Sequence, residues 1–264
     1  MTYMRLLFCL TFSVLILLTS GCSSQRFVSE SDARAAADSP DLRRRVSLRM
    51  QLAIEYYQAG QLQSALEEVR QVLLVAPNTA NAYSLRALIQ MDLNDVEHAE
   101  QNFQHAIKLE PRNSDIANNY GWFLCQTNRE KESISLFEKV MADRMYATPE
   151  KAMINAGVCS LRLKDIKNAE RYFMMGYQEQ PNNPSINANL AKIFFDRAQF
   201  EKARFYIQRV IKDEIFAADV LWLAIKIDSK LGDQSSVANL GTQLRRRHPN
   251  SKEYALFQKG AFNE

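Results

Sequence analysis

The side chains able to do chemistry in this chain of 264 residues are few and scattered. Thiols stand at Cys9, Cys22, Cys125 and Cys159, and imidazoles at His98, His105 and His248. Zinc needs three or four ligands. His98 and His105 lie seven apart, two turns along one helix, with no third ligand beside them, so no metal site is expected. No G-x-S-x-G, phosphate loop or local Cys-His signature occurs, and Glu67-Glu68 reads as a solvated helix face. Neither an enzyme nor a cofactor protein is expected. What remains is thiol chemistry, with Cys125 and Cys159 as candidate oxidation partners and Cys22 at the end of an apolar run.

That run extends from Leu6 to Leu18, follows a single positive charge at Arg5, and gives way to Thr19-Ser20-Gly21 before Cys22. Thirteen residues fit a signal-peptide core, whereas a membrane span needs about 20. An apolar core, small residues and then Cys resemble a bacterial lipobox, although Thr19 stands where Leu is usual; an uncleaved signal anchor is the other reading. The resemblance implies residues 1–21 as a signal peptide and Cys22 as the lipidated residue. Ser23 follows in place of the Asp that would imply inner-membrane retention, so the expected location is the outer membrane, lipid-anchored, on its periplasmic face. Several acyl chains make a stable anchor where one is marginal. Residues 22–41 read as a lipidated tether, polar and small, whose flexible coil would span roughly 20 to 25 Å.

Eight Gly and seven Pro are few for this length, which argues against a turn-rich β sandwich and leaves a helical chain. With 47% apolar and 24% charged residues the chain can bury a core. A net charge of +3 is too small for a nucleic-acid surface, and no nucleic-acid partner is expected. The runs Arg43 to Arg45 and Arg245 to Arg247 read as solvated helix faces in preference to lipid contacts.

Self-comparison finds a period near 34 residues, with repeats starting at Val46, Ala80, Ser114, Glu150, Pro184 and Ala218 and a two-residue insertion near Arg144 to Pro149. The eighth position is small or aliphatic (Ala53, Ala87, Gly121, Gly157, Ala191, Ile225) and so is the twentieth (Ala65, Ala99, Ser133, Ala169, Ala203, Val237). Small residues recur where helix axes approach closely. The twenty-fourth is bulky in five of six (Val69, Phe103, Phe137, Phe173, Ile207), with Gly241 the exception. The fifteenth (Gly60, Asn94, Asn128, Lys164, Ala198, Gly232) marks the turn inside each repeat, four of six being residues that tolerate a left-handed helix end. Pro77, Pro111, Pro181 and Pro249 close four repeats. The pattern resembles the tetratricopeptide repeat. It implies an all-α fold over residues 42–260, a right-handed superhelical solenoid of six repeats, capped by a helix at Ser251 to Lys259.

In that family the inner surface comes from the first helix of each repeat. The corresponding columns here hold Met50, Ile54 and Tyr57, Leu88 and Met91, Trp122 and Cys125, and Ile154, Val158 and Leu161. Apolar side chains at this density, if exposed, call for a protein partner; the alternative for any one of them is a contact between repeats. Asn119, Asn155 and Asn189 share the sixth position and could pair with an extended peptide backbone, or satisfy neighbouring helix groups instead. Cys125 and Cys159 fall on first helices of adjacent repeats, where a bridge is geometrically plausible and two free thiols are the alternative.

N-N-Y-G-W-F-L-C at 118–125 and I-N-A-G-V-C at 154–159, with the lipobox and six repeats, resemble the PilF/PilW family of type IV pilus biogenesis lipoproteins. That resemblance implies a pilotin: a monomeric body that binds the pilus secretin and promotes its outer-membrane localisation and multimerisation. A lipoprotein adaptor for periplasmic cell-wall hydrolases or proteases is the alternative, with another periplasmic or outer-membrane protein as partner.

Overall fold

The structure, a computed structural model, describes residues 39–212 and 216–262. The segment read as a signal peptide, Cys22 and most of the residues read as a tether lie outside them. The chain divides into two units at Leu48, and the second, Arg49–Glu264, carries the repeats from Arg49 onward. Thirteen helices and no strand are found among the described residues. They are α1 Pro40–Gln58, α2 Leu62–Val75, α3 Ala80–Asp92, α4 Val96–Leu109, α5 Ser114–Gln126, α6 Glu130–Ala142 and α7 Pro149–Arg162. Then follow α8 Ile166–Glu179, α9 Pro184–Asp196, α10 Phe200–Lys212, α11 Ala218–Lys230, α12 Gln234–Arg247 and α13 Lys252–Gln258. Odd-numbered helices to α11 are the first (A) helices of six repeats, even-numbered ones the second (B) helices, and α13 is the cap. Each repeat packs on the next in a helical solenoid.

The start of α1 differs from expectation. It begins at Pro40, inside the segment read as tether, because Ser39 Oγ accepts the Leu42 N–H at 3.2 Å and proline suits the first helical position. Short polar caps set several of the later helix starts. Asp95, Asn113, Asp165, Asn183 and Asp233 each accept a backbone N–H of the following first turn.

All six turns inside the repeats close alike. The fifteenth residue is left-handed in every case, including Lys164 (φ 59°) and Ala198 (φ 57°), which are not natural occupants of that region. The next residue donates its N–H to the carbonyl five residues back: Gln61 to Tyr56, Asp95 to Gln90, Arg129 to Leu124, Asp165 to Ser160, Gln199 to Phe194 and Asp233 to Asp228. This hydrogen bond satisfies a helix-end carbonyl in each repeat. The turn geometry therefore holds even where the side chain does not favour it.

The core forms where the small eighth position meets the bulky twenty-fourth. Gly121 lies against Phe137 and Gly157 against Phe173, close enough that a Cβ would stand 2.6 Å and 2.7 Å from a ring carbon. Repeat 6 inverts the sizes. Ile225 fills the eighth position, Gly241 empties the twenty-fourth, and Phe257 of the cap helix enters the space beside Gly241. The repeat that departs most from the pattern is thus built to receive the cap. At the insertion, Tyr146 turns into the core and donates its hydroxyl to Asp115 at 3.2 Å, while Met145 stands out at 90% exposure.

Candidate protein-binding face

The A helices bring the columns singled out in the sequence to one face, but they do not leave them bare. Ile54 is exposed at 41%, whereas Met50, Tyr57, Leu88, Met91, Trp122, Ile154, Val158 and Leu161 are half-buried. Leu88 and Met91 pack on Phe103, Phe123 and Leu124. Trp122 packs on the cluster around Phe137 and Tyr172, and Ile154, Val158 and Leu161 on the one around Phe173 and Leu190. Tyr57 bonds Asp92 of the next repeat, and burial together with that carboxylate raises its pKa. Each side chain therefore gives one flank to the seam between repeats and the other to solvent. Cys125 is a correction to the stripe, since it is fully buried.

Cys125 and Cys159 form a disulfide with Cα atoms 5.9 Å apart, joining α5 to α7 across the seam next to the insertion. Ser133 Oγ sits 3.6 Å from Cys159 Sγ and donates to Gly121 O at 2.7 Å, so the polar twentieth residue of repeat 3 is satisfied locally.

The three asparagines do not form a free ladder of amides. Asn119 Nδ2 donates to Ser84 Oγ at 3.2 Å and Asn155 Nδ2 to Asn118 Oδ1 at 3.1 Å, both across a seam. Asn189 Nδ2 donates to Ser185 O in its own helix at 2.8 Å. Each spends one amide N–H within the fold.

One property of this face went unread in the sequence, although the ninth column carries it plainly. That column runs Ile54, Leu88, Trp122, Val158, then Lys192 and Lys226. Its apolar character ends with repeat 4. Lys192 pairs with Asp196 at 3.0 Å, and Lys226 lies over the rings of Phe195 (5.1 Å) and Trp222 (5.8 Å). Burial, and then the charge of Lys192, lower the Lys226 pKa. A cavity of about 310 Å³ opens there, lined by both lysines, Asn189, Trp222, Asp219 and Glu253. A bound chain would meet apolar surface at one end of the face and, at the other, lysines set among Asp196, Asp219 and Glu253.

Among the described residues no group of three or more His, Cys, Asp or Glu could hold a metal ion, and no helix is long and apolar enough to cross a membrane. Arg245, Arg246 and Arg247 are exposed on the last turn of α12.

Known proteins share this architecture. Residues 39–214 match the family model described as tetratricopeptide repeat. The chain is 27% identical over 209 residues to the type IV pilus assembly protein PilF of Pseudomonas aeruginosa, an alignment that covers 79% of this chain and 83% of that protein. It is similar to the crystal structure of PilW, described as a widely conserved type IV pilus biogenesis factor, with a TM-score of 0.71 at 31% identity over 81% of this chain and 98% of that one. A solved structure of Pseudomonas aeruginosa PilF superposes with a TM-score of 0.73 at 26% identity, covering 83% of this chain and 99% of that one.

Proposed function

The chain belongs to the tetratricopeptide repeat family, and from that premise we propose that it serves type IV pilus biogenesis as an outer-membrane pilotin. On this reading it binds the pilus secretin and promotes its localisation and multimerisation in the outer membrane. The supporting observation is that the likeness to PilW and PilF spans about four-fifths of this chain and almost the whole of theirs. A repeat solenoid has no chemistry of its own to offer; its activity lies in the surfaces it presents. The exposed Ile54 and the half-buried apolar side chains from Leu88 to Leu161 would grip a secretin segment. Lipids on Cys22 would supply the address, with residues 22–41 as the tether.

Cys22→Ala tests the reading. The body folds, and the secretin accumulates in the inner membrane with fewer multimers in the outer one. Normal secretin multimers at the outer membrane in that strain would refute the proposal. Recovery of a cell-wall hydrolase or protease in place of the secretin, from detergent extracts, would replace the client.

A further inference from the structure

Repeat 2 carries a cation and an amide at columns where its successors hold aliphatic or tyrosine side chains. At the seventh and twenty-third positions, repeats 3 to 6 read Tyr120 with Leu136, Ala156 with Tyr172, Leu190 with Tyr206, and Ala224 with Leu240. Repeat 2 places Arg86 and Asn102 there. Helical spacing turns Arg86, with Tyr83 and Gln90, away from Leu88 and Met91, so this is a different face from the one described above. The fold does not require an arginine or an amide there, since four repeats stack without either.

The arrangement is built rather than loose. Asn102 is buried, and its Nδ2 donates to Gln90 Oε1 at 2.7 Å and to His98 O at 2.8 Å, which turns its oxygen toward Arg86. Arg86 donates to that oxygen through Nε at 2.8 Å and through Nη2. Its guanidinium lies 4.9 Å over the Tyr83 ring, and Tyr83 meets His105 edge-on with ring centroids 4.2 Å apart. Burial lowers the Arg86 pKa. Among the described residues no carboxylate pairs with it. A partly desolvated guanidinium whose acceptor is a neutral amide lacks the counter-charge that normally accompanies such burial. Around it opens a cavity of about 410 Å³, rimmed by His98, Gln101 and His105 and lined by no acid. Asp95 is engaged elsewhere, by His98 Nδ1 at 2.8 Å and at the start of α4.

The geometry points to a second docking site, in which this cavity receives a carboxylate side chain of a protein partner against the remaining N–H groups of Arg86. An anionic membrane surface is a poorer occupant, because it calls for four or more clustered basic residues, and Arg86 is the one arginine or lysine that lines the cavity. The inference does not depend on which protein fills the A-helix face.

Histidine resonances test it directly, because the chain has three histidines and only His98 and His105 border the cavity. The full chain in detergent micelles is titrated with an acetylated, amidated Gly-Glu-Glu-Gly peptide. Saturable shifts of His98 and His105 with His248 unmoved are expected, with no response to the Gln-Gln analogue. Arg86→Met should weaken the response at least tenfold. Should that variant fail to fold, Gln101→Glu, at an exposed rim position, supplies a carboxylate in place and should block the peptide equally. The proposal is overturned by no shift, by equal shifts with the Gln analogue, by shifts with inorganic phosphate or anionic vesicles only, or by undiminished binding to Gln101→Glu.

Discussion

Gly157 and Phe173 occupy one space: a Cβ on the glycine would stand 2.7 Å from two carbons of a ring that is wholly buried. Glycine inside a helix costs about 0.5–1 kcal/mol relative to alanine, and overpacking a core costs about 1–3 kcal/mol. The second effect wins here because neighbouring side chains hold the ring on every side.

Gly157→Ala should therefore destabilise the protein by about 1 kcal/mol, the lower end because repeat 2 seats Ala87 opposite Phe103 within the same architecture. Urea unfolding measures the loss. Adding Phe173→Leu should recover part of it, and strict additivity of the two changes would show that the pair does not share the strain.

At the turns the sign reverses. Ala198 is left-handed at φ 57° with a Cβ, which costs about 1–2 kcal/mol, more than the entropic penalty of glycine. Ala198→Gly should raise stability by about 0.5–1 kcal/mol, and Lys164→Gly should do likewise. A lowered urea midpoint in both variants would contradict the assignment of strain to these positions.

The disulfide closes a loop with a sequence separation of 34. Loop-closure entropy then predicts that Cys125→Ser with Cys159→Ser loses about 3–4 kcal/mol. Both residues are wholly buried, so a reductant should act only on transiently opened molecules. Free thiols that appear at once in the native protein, without denaturant, would contradict the burial.

Alkali should unfold the protein through its buried phenols. Burial, and then the carboxylate of Glu138 that accepts its hydroxyl at 2.6 Å, push Tyr172 up to about 12. Burial likewise pushes Tyr146 up to about 12. A folded-state pKa above the unfolded value of about 10 means that the contribution is complete below pH 10 and is lost as pH rises through about 12. Stability should accordingly decline from pH 10 upward, with late phenolate absorbance from these two residues. Tyr172→Phe should remove one late step; an unchanged titration would leave the shift without its residue.

The sequence by itself determined the period, the six repeats, the cap and the small and bulky columns. Those features are local: each repeat is one helical hairpin that touches only its neighbours, so every constraint recurs at a fixed spacing and can be read as a column. The tertiary structure alone decided how those columns are used. Lys164 and Ala198 adopt a conformation that their side chains disfavour, because the turn's hydrogen bonds and helix packing impose it. Trp122 and Leu88 are half-buried rather than free, and Asn119 and Asn155 each spend an amide N–H across a seam, because exposure depends on the neighbouring repeat. Arg86 stands beside a neutral amide in a cavity that no acid lines among the described residues, for the same reason. Which groups a side chain meets is settled by packing between helices, and no spacing along the chain records it.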